Sequence, residues 1–348
     1  MALNMLASFA DVWNKIWPIL VAILILLLMI TVHEFGHYIV GKIFKFKIDE
    51  FAIGFGPAIV RKQKKNGEYF SIRALPLGGY CAFHGEDNEA VEEGDFNSKP
   101  PWQRILVLIA GATMNLLLAL IVSGMFLGIY GAPMYKIVST DDYEAQAFKA
   151  GDIILQIEDK DMYATFDDFA KYTSGKSAGD SIKFTVLRDG KKVKILAALH
   201  ENDEGKTVIG ITMGGEYVKF GFFETIGRTF AYTFKLGMSI LSVLGGLITG
   251  KVGISSMGGT FSTITATAQG VKNYGFPFLL QITALIGVDL GVFNFLPIPA
   301  LDGSKVVFTT IEWIRGKPIN RNVEAVIHLI GFVLLIGFAV LVDLQHCF

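Results

Sequence analysis

His33-Glu34-Phe35-Gly36-His37 is the stretch of this 348-residue chain whose residue types and spacing most directly prescribe a chemistry. On a helix, two histidines four positions apart stand one turn apart on one face, the spacing for two imidazole ligands of a single Zn²⁺. The glutamate beside the first ligand is then placed as general base for a water activated by the metal. A catalytic zinc also needs a third protein ligand and an open position. The best candidate is Asp302, which follows Asn294-Phe-Leu-Pro297-Ile-Pro299-Ala-Leu. Two prolines one residue apart do not fit a regular helix, so this segment unwinds and the carboxylate beyond it can turn toward a metal. Asn294 can hold a substrate backbone or steady an oxyanion, or it can make an interhelical hydrogen bond; the sequence leaves both open. Asn115, inside an apolar run, reads as an interhelical bond. His84, His200, His328 and His346 have no partner at i±3 or i±4 that would make a metal pair and are read as non-ligands. Cys81 and Cys347 support neither a zinc ribbon nor a disulfide framework.

The pentad ends an uncharged run from Trp17 to Val32, and three ionisable groups in such a place are expensive in lipid and functional by default. The chain is 52% hydrophobic and only 18% charged, against about 25% charged in soluble domains, which indicates a polytopic membrane protein. Lys15 before the first apolar run raises the question of a cleaved signal, but the run continues to Lys42 with no small-residue cleavage site, so a retained helix is expected. Four segments have spanning length: about 16–43, 105–130, 276–301 and 325–342, the third broken by Asp289, Asn294, Pro297 and Pro299. Lysines and arginines cluster between the first two, including Lys42, Lys45, Lys47, Arg61, Lys62 and Arg104, and mark the cytoplasmic side. The pentad then lies near the cytoplasmic end of the first span, and residues 131–220 lie outside. A net charge of −1 and the lack of a basic tract give no sign of nucleic acid as a partner.

Residues 48–83 alternate in short apolar runs punctuated by glycine and read as β-hairpins, a strand edge that could take an unwound substrate. Residues 131–214 form a soluble α/β island with strands near 136–139, 153–158, 181–188 and 192–196, a hairpin turn at Asp189-Gly190 and a helix capped by Thr165. The arrangement, with Ala150–Ile157 at its centre, resembles a single PDZ domain, a module that takes a peptide as an added strand. Residues 215–270 read as an interfacial amphipathic helix and linker, and 271–348 as the second part of the membrane core, after a first part at 1–130.

The H-E-F-G-H pentad, the N-x-x-P-x-P-x-x-D-G motif at Asn294–Gly303 and the PDZ-like insert together resemble the site-2 protease family, over nearly the whole chain. The resemblance implies a polytopic α-helical membrane protein with four transmembrane helices, membrane-associated β-hairpins and one inserted PDZ-like α/β domain. It implies one Zn²⁺ per chain, with His33, His37 and Asp302 as ligands, Glu34 as catalytic residue, and Asn294, Pro297 and Pro299 as substrate-binding segment. The implied activity is intramembrane cleavage of single-pass membrane proteins, such as anti-sigma factors or remnant signal peptides, in a bacterial inner or cell membrane. An upstream site-1 protease acting on the same substrate is the implied partner, beside the lipid bilayer itself. The chain departs from the family pattern at Gly287-Val-Asp289, where asparagine and serine are common, at Ser304, where glycine is usual, and at Ala147 in the PDZ-like loop. Those departures leave an alternative, a catalytically inactive metal-binding scaffold or receptor that uses its PDZ-like domain. A transporter ranks last, because one broken helix without an internal repeat is not the transporter pattern.

Overall fold

The computed structural model describes residues 2–86, 92–141, 147–164, 169–202, 205–253 and 258–345. Its contacts separate two units, residues 1–122 with 240–348, and residues 123–239. The first holds helix α1 (Ala2–Ile43), strands β1 (Ile48–Gln63) and β2 (Tyr69–Phe83), and most of α2 (Pro101–Ile129). The second holds β3 (Ala132–Thr140), β4 (Ile153–Ile157), β5 (Lys160–Asp161), α3 (Ala170–Thr173), β6 (Ser181–Arg188), β7 (Lys191–Ala198), β8 (His200–Glu201), β9 (Thr207–Val208), β10 (Ile211–Val218) and the first part of α4 (Phe222–Ile248). The chain then returns to the first unit with α5 (Thr260–Tyr274), α6 (Phe276–Phe295), α7 (Asp302–Arg315) and α8 (Arg321–Gln345).

Among the described residues, five helices are long and apolar enough to cross a membrane: Val12–Ile43 of α1, then α2, α4, α6 and α8. That is one more than the four expected, and the addition is α4. The third expected span is shorter than the sequence suggested, since its helix stops at Phe295 and residues 296–301 are not helical. Pro297 and Pro299 have no N–H to donate and restrict the residues before them, so α6 cannot continue through them. A new helix starts only at Asp302.

Small residues set how closely α1 and α2 pack. A Cβ added to Gly36 of α1 would stand 2.8 Å from the carbonyl carbon of Ala110 on α2, so only glycine lets the two backbones meet there. The β1–β2 pair is more than a simple hairpin. Ile53 pairs with Gly79 on one side and Ile72 on the other, and Ile72 also pairs with Val60. The two long strands are therefore folded back to give a ply order of 58–63, 69–73, 50–53 and 79–83. The reversal in β1 is at Gly54, whose φ of 88° is in the left-handed region and whose added Cβ would stand 2.7 Å from the Leu75 carbonyl.

The second unit is an antiparallel sheet in the order β10-β3-β4-β6-β7, with β5 on β4. Its core includes Ile137, Ile154, Ile157, Ile182, Phe184 and Val186; the last three alternate inward along β6, while a register shift on β4 lets both Ile154 and Ile157 face the core. Asp189 and Gly190 join β6 to β7 with φ of 49° and 75°, the two left-handed positions of a type I′ turn that suits an Asp-Gly pair. The sheet runs past the sequence-read boundary at 214, because β10 pairs with β3 as far as Val218↔Ala132. The helix expected to start at Thr165 falls partly outside the described residues; α3 covers Ala170–Thr173. His346 and Cys347 also lie outside them.

A buried carboxylate ties the folded-back strands to the end of α1. Glu68, 1% exposed, accepts from Lys42 and Tyr38 of α1 (Tyr38 at 2.9 Å), from Lys64 at 2.7 Å and from Asn66 at 3.0 Å. Burial pushes its carboxyl up, but these four donors outweigh that and hold it at about 2. The unfolded value is about 4.3. The contribution is therefore complete above that value and is lost as the pH falls toward 2. Glu68→Gln, which mimics the protonated side chain, should melt below wild type at neutral pH in detergent, and the gap should close between about pH 4.5 and 2. A gap that does not change with pH would refute this account.

Candidate metal centre and active site

His33 and His37 lie on one face of α1 with their rings edge to face, centroids 4.8 Å apart. Asp302, the first residue of α7, brings Oδ2 to 2.9 Å from His33 Nε2 and 3.2 Å from His37 Nε2, while the two Nε2 atoms are 3.2 Å apart. Both histidines are buried and Asp302 is half-buried. The unwound stretch 296–301 returns the chain against the end of α6. Gly303 packs so tightly there that an added Cβ would lie 2.7 Å from the Phe295 carbonyl oxygen.

The donor set fits zinc. Ligands placed tetrahedrally at 2.0–2.2 Å would be about 3.4 Å apart, close to the separations found. His37 Nδ1 donates to the Val107 carbonyl at 2.8 Å, and a carbonyl can only accept. Its proton is therefore on Nδ1, and Nε2 offers a lone pair toward the other two donors. Gly111 of α2 covers the rings from outside: an added Cβ would run into His37 and stand 2.8 Å from His33 Cε1.

Asn115 is placed by α2 behind His33, with its side-chain amide 3.4 Å from His33 Nδ1. It is fully buried, and its Oδ1 meets no partner. For His33 to present Nε2 to a metal, Nδ1 must carry the proton and needs an acceptor. Turning the amide, whose oxygen and nitrogen occupy equivalent places, gives Oδ1 that role. The interhelical bond read from sequence thus meets a histidine of the candidate metal cluster. Sequence missed this role because nothing in an apolar run states which residue the asparagine will face.

Glu34 points into a cavity of about 210 Å³ that it shares with His37, Tyr80, Cys81, Asp302 and Lys305. The backbone N–H of Cys81 faces its carboxylate, and Gly79 comes close enough that an added Cβ would lie 3.5 Å from its Cγ. Burial pushes the Cys81 thiol far up, so it is no nucleophile at neutral pH. Lys305 closes the cavity by an ion pair to Glu86 at 2.7 Å. Asn294 donates to the Leu290 carbonyl of its own helix at 2.9 Å, Pro297 is exposed and Pro299 half-buried, and none of the three lines the Glu34 cavity. Asp289 does not join the ligand cluster, which among the described residues is His33, His37 and Asp302. His84 pairs with Asp49 and His200 with Asp141, and neither approaches the cluster.

Orientation of His33 by Asn115 has a measurable consequence. Asn115→Leu should weaken zinc binding by about 10–100-fold, the usual cost of losing such a partner, as read by competition with a chromophoric chelator. Wild-type affinity in that variant would remove Asn115 from the site.

Comparison with known proteins places this geometry. The model for peptidase family M50 matches residues 21–338, a range that contains every ligand named above. A zinc metalloprotease of Clostridium acetobutylicum, so described by its name, is 32% identical over 338 residues, covering 94% of this chain and 96% of its own. A similarly named protein of Fusobacterium nucleatum is 30% identical, covering 94% of this chain and 97% of its own. A solved PDZ domain from Listeria monocytogenes is 24% identical over 23% of this chain and 85% of its own, with a TM-score of 0.21, a likeness too slight to bear on the fold. With the family match spanning most of its length and both motifs meeting at one ligand cluster, the chain belongs to peptidase family M50, the site-2 type of zinc metalloprotease.

Proposed function

We propose that this metalloprotease cuts its substrates within the membrane, hydrolysing a peptide bond in the transmembrane segment of single-pass proteins. The observation that carries the reading is the position of the ligands. His33 and His37 lie inside the apolar helix Val12–Ile43, with at least six residues between them and its end, rather than on the sheet domain. A peptide bond that reaches them comes from lipid or from a segment drawn down beside α1.

Zinc held by His33, His37 and Asp302 supplies Lewis acidity and a water that is nucleophilic near neutral pH. Glu34 takes a proton from the attacking water and returns it to the leaving amine. The scissile carbonyl is inaccessible in an intact helix, so the substrate must unwind locally. Segment 79–83 supports that step, since it pairs with 48–53 on one side and Tyr80, Cys81 and Phe83 line the Glu34 cavity; a strand can add along its other edge. Asn294, Pro297 and Pro299, in the segment that leads to Asp302, are assigned to substrate binding, with Asn294 exchanging its bond to Leu290 for one to the substrate.

The meeting of Asp302 with His33 supports a four-span arrangement. It puts the end of α6 on the same side as the end of α1, and α2 returns from that side, so α2 ends where α6 begins. Any crossing by α4 must then be reversed before α6. The 15 residues of α5 reach only about 22 Å, short of a hydrocarbon core of about 30 Å. We therefore read α4 as interfacial, with Phe222, Phe223 and Phe230 exposed along it. The lysine- and arginine-rich loop after α1 orients the site toward the cytoplasm of a bacterial cell and the sheet domain outward. There the PDZ-like domain acts on substrates already shortened by another protease, as regulated intramembrane proteolysis requires.

Glu34→Gln should keep its zinc and lose cleavage of a transmembrane reporter by about 10²–10⁴-fold, whereas Asp302→Ala should lose the zinc; turnover by Glu34→Gln at the wild-type rate would defeat the mechanism. Orientation is open to labelling. A cysteine introduced at Lys171 should react with a membrane-impermeant maleimide on intact cells, and one at Lys62 only after permeabilisation. The reverse pattern would overturn the assigned topology.

A further inference from the structure

We infer that His328 on α8 is a positioning residue for Asp302, and that it makes the placement of α8 part of the metal geometry. The inference rests on Asp302 being a zinc ligand, as proposed above. In the turn between α6 and α7, Ala300 has φ of 78°, a left-handed conformation that disfavours a residue with a Cβ. It stands two residues before Asp302, so the direction of the carboxylate depends on that strained residue staying as it is. Bonds within the turn are local: Leu301 N–H to Ile298 O at 3.1 Å and Ser304 N–H to Leu301 O at 3.1 Å. The Ala300 N–H instead donates to His328 Nδ1 at 3.0 Å, across to another helix.

A second contact on α8 supports the first. Gly331, three residues on and on the same face, lies so close to the turn that an added Cβ would be 2.7 Å from the Pro299 carbonyl oxygen. The turn is held between a hydrogen-bond acceptor and a bare backbone. The ring of Phe308 on α7, 5.7 Å away, packs on the imidazole. Because Nδ1 accepts, the ring is neutral and carries its proton on Nε2. That nitrogen is buried with no hydrogen-bond partner among the described residues. The second polar atom therefore gains nothing here, and the side chain's evident contribution is the acceptor it offers Ala300. His328 itself is no member of the ligand cluster.

The test compares His328→Leu, His328→Asn and His328→Gln. Asparagine can put Oδ1 where Nδ1 stood, glutamine carries its acceptor one bond farther out, and leucine has none. In metal-free protein, hydrogen exchange of a peptide covering 296–304 should be about tenfold faster in the leucine and glutamine variants, with zinc affinity about 10–100-fold weaker, and asparagine should restore both to within about threefold. Wild-type exchange and affinity in His328→Leu would overturn the inference, and so would an asparagine variant as impaired as the leucine one. If the leucine variant fails to fold, the asparagine and glutamine variants, alike in polarity, decide by the same readings. Asp302→Ala measured alongside separates the two ideas. Undiminished zinc affinity there would remove Asp302 as a ligand, while the exchange of Ala300 would still report on the clamp.

Discussion

Two imidazoles and a carboxylate can be kept about 3 Å apart inside apolar helices only if the surrounding backbone comes very close. Here that closeness depends on side chains that are absent. Gly36 lets α1 sit on the carbonyl of Ala110, and Gly111 lets α2 pass across the faces of His33 and His37. The same crossing aligns Val107 O with His37 Nδ1 and Asn115 with His33 Nδ1, so one helix contact addresses the tautomers of both rings. Any Cβ at Gly111 would push the imidazoles aside. The metal centre is in this sense a property of the α1–α2 crossing, completed by a carboxylate from elsewhere.

That carboxylate arrives by a different device. Asp302 is neither in α6 nor well inside α7; it opens α7 after a stretch that proline keeps from being helical. Polar groups freed among apolar helices must be satisfied within the protein. The turn does so partly by itself and partly through His328. Nearby, Arg104 is 1% exposed and joins Glu312 of α7 at 2.5 Å and Asn97 at 3.1 Å, and Arg321 at the start of α8 reaches the same Asn97 at 2.9 Å. A buried pair of this kind is weak evidence of net stability, because desolvation offsets much of the attraction. Its directional bonds do fix α2, α7 and α8 relative to one another, and those helices carry Asn115, Asp302 and His328.

What the sequence made legible follows from what each signal encodes. The pentad is local: helical periodicity and residue type suffice to put His33 and His37 together. The proline pair is local as well, and it locates the break in α6 and the start of α7. Pairing Asp302 with the pentad needed chemical reasoning about zinc's third ligand, since no local rule connects positions so distant. The span count was harder, because α4 has the length and composition of a span and only the connectivity around Asp302 argues against one. Three features stayed out of reach: the partner of Asn115, the clamp from His328 and the second fold of β1 on β2. Each depends on which surfaces meet after folding. In an apolar helix a lone polar residue looks the same whether it faces a neighbour's carbonyl or a ligand's ring.

Two non-helical stretches of the first unit converge on one cavity. Tyr80 and Cys81 reach it from the folded-back strands, and Asp302 reaches it from the broken segment after α6. Unpaired backbone facing lipid would cost several kcal/mol per group, so an outer strand edge and an unwound turn persist there only where protein or a bound peptide meets them. Under the proposed function a substrate helix would face the same constraint in reverse: once unwound, it would need new partners for its N–H and C=O groups. An enzyme that offered only a metal would leave that requirement unmet and the substrate would remain helical. On the proposed reading a strand edge beside the metal would answer it directly, because backbone pairing is indifferent to side chains and could draw an extended segment across Glu34 whatever its sequence. On that reading, specificity would come from how readily a substrate unwinds rather than from a pocket shaped for one residue.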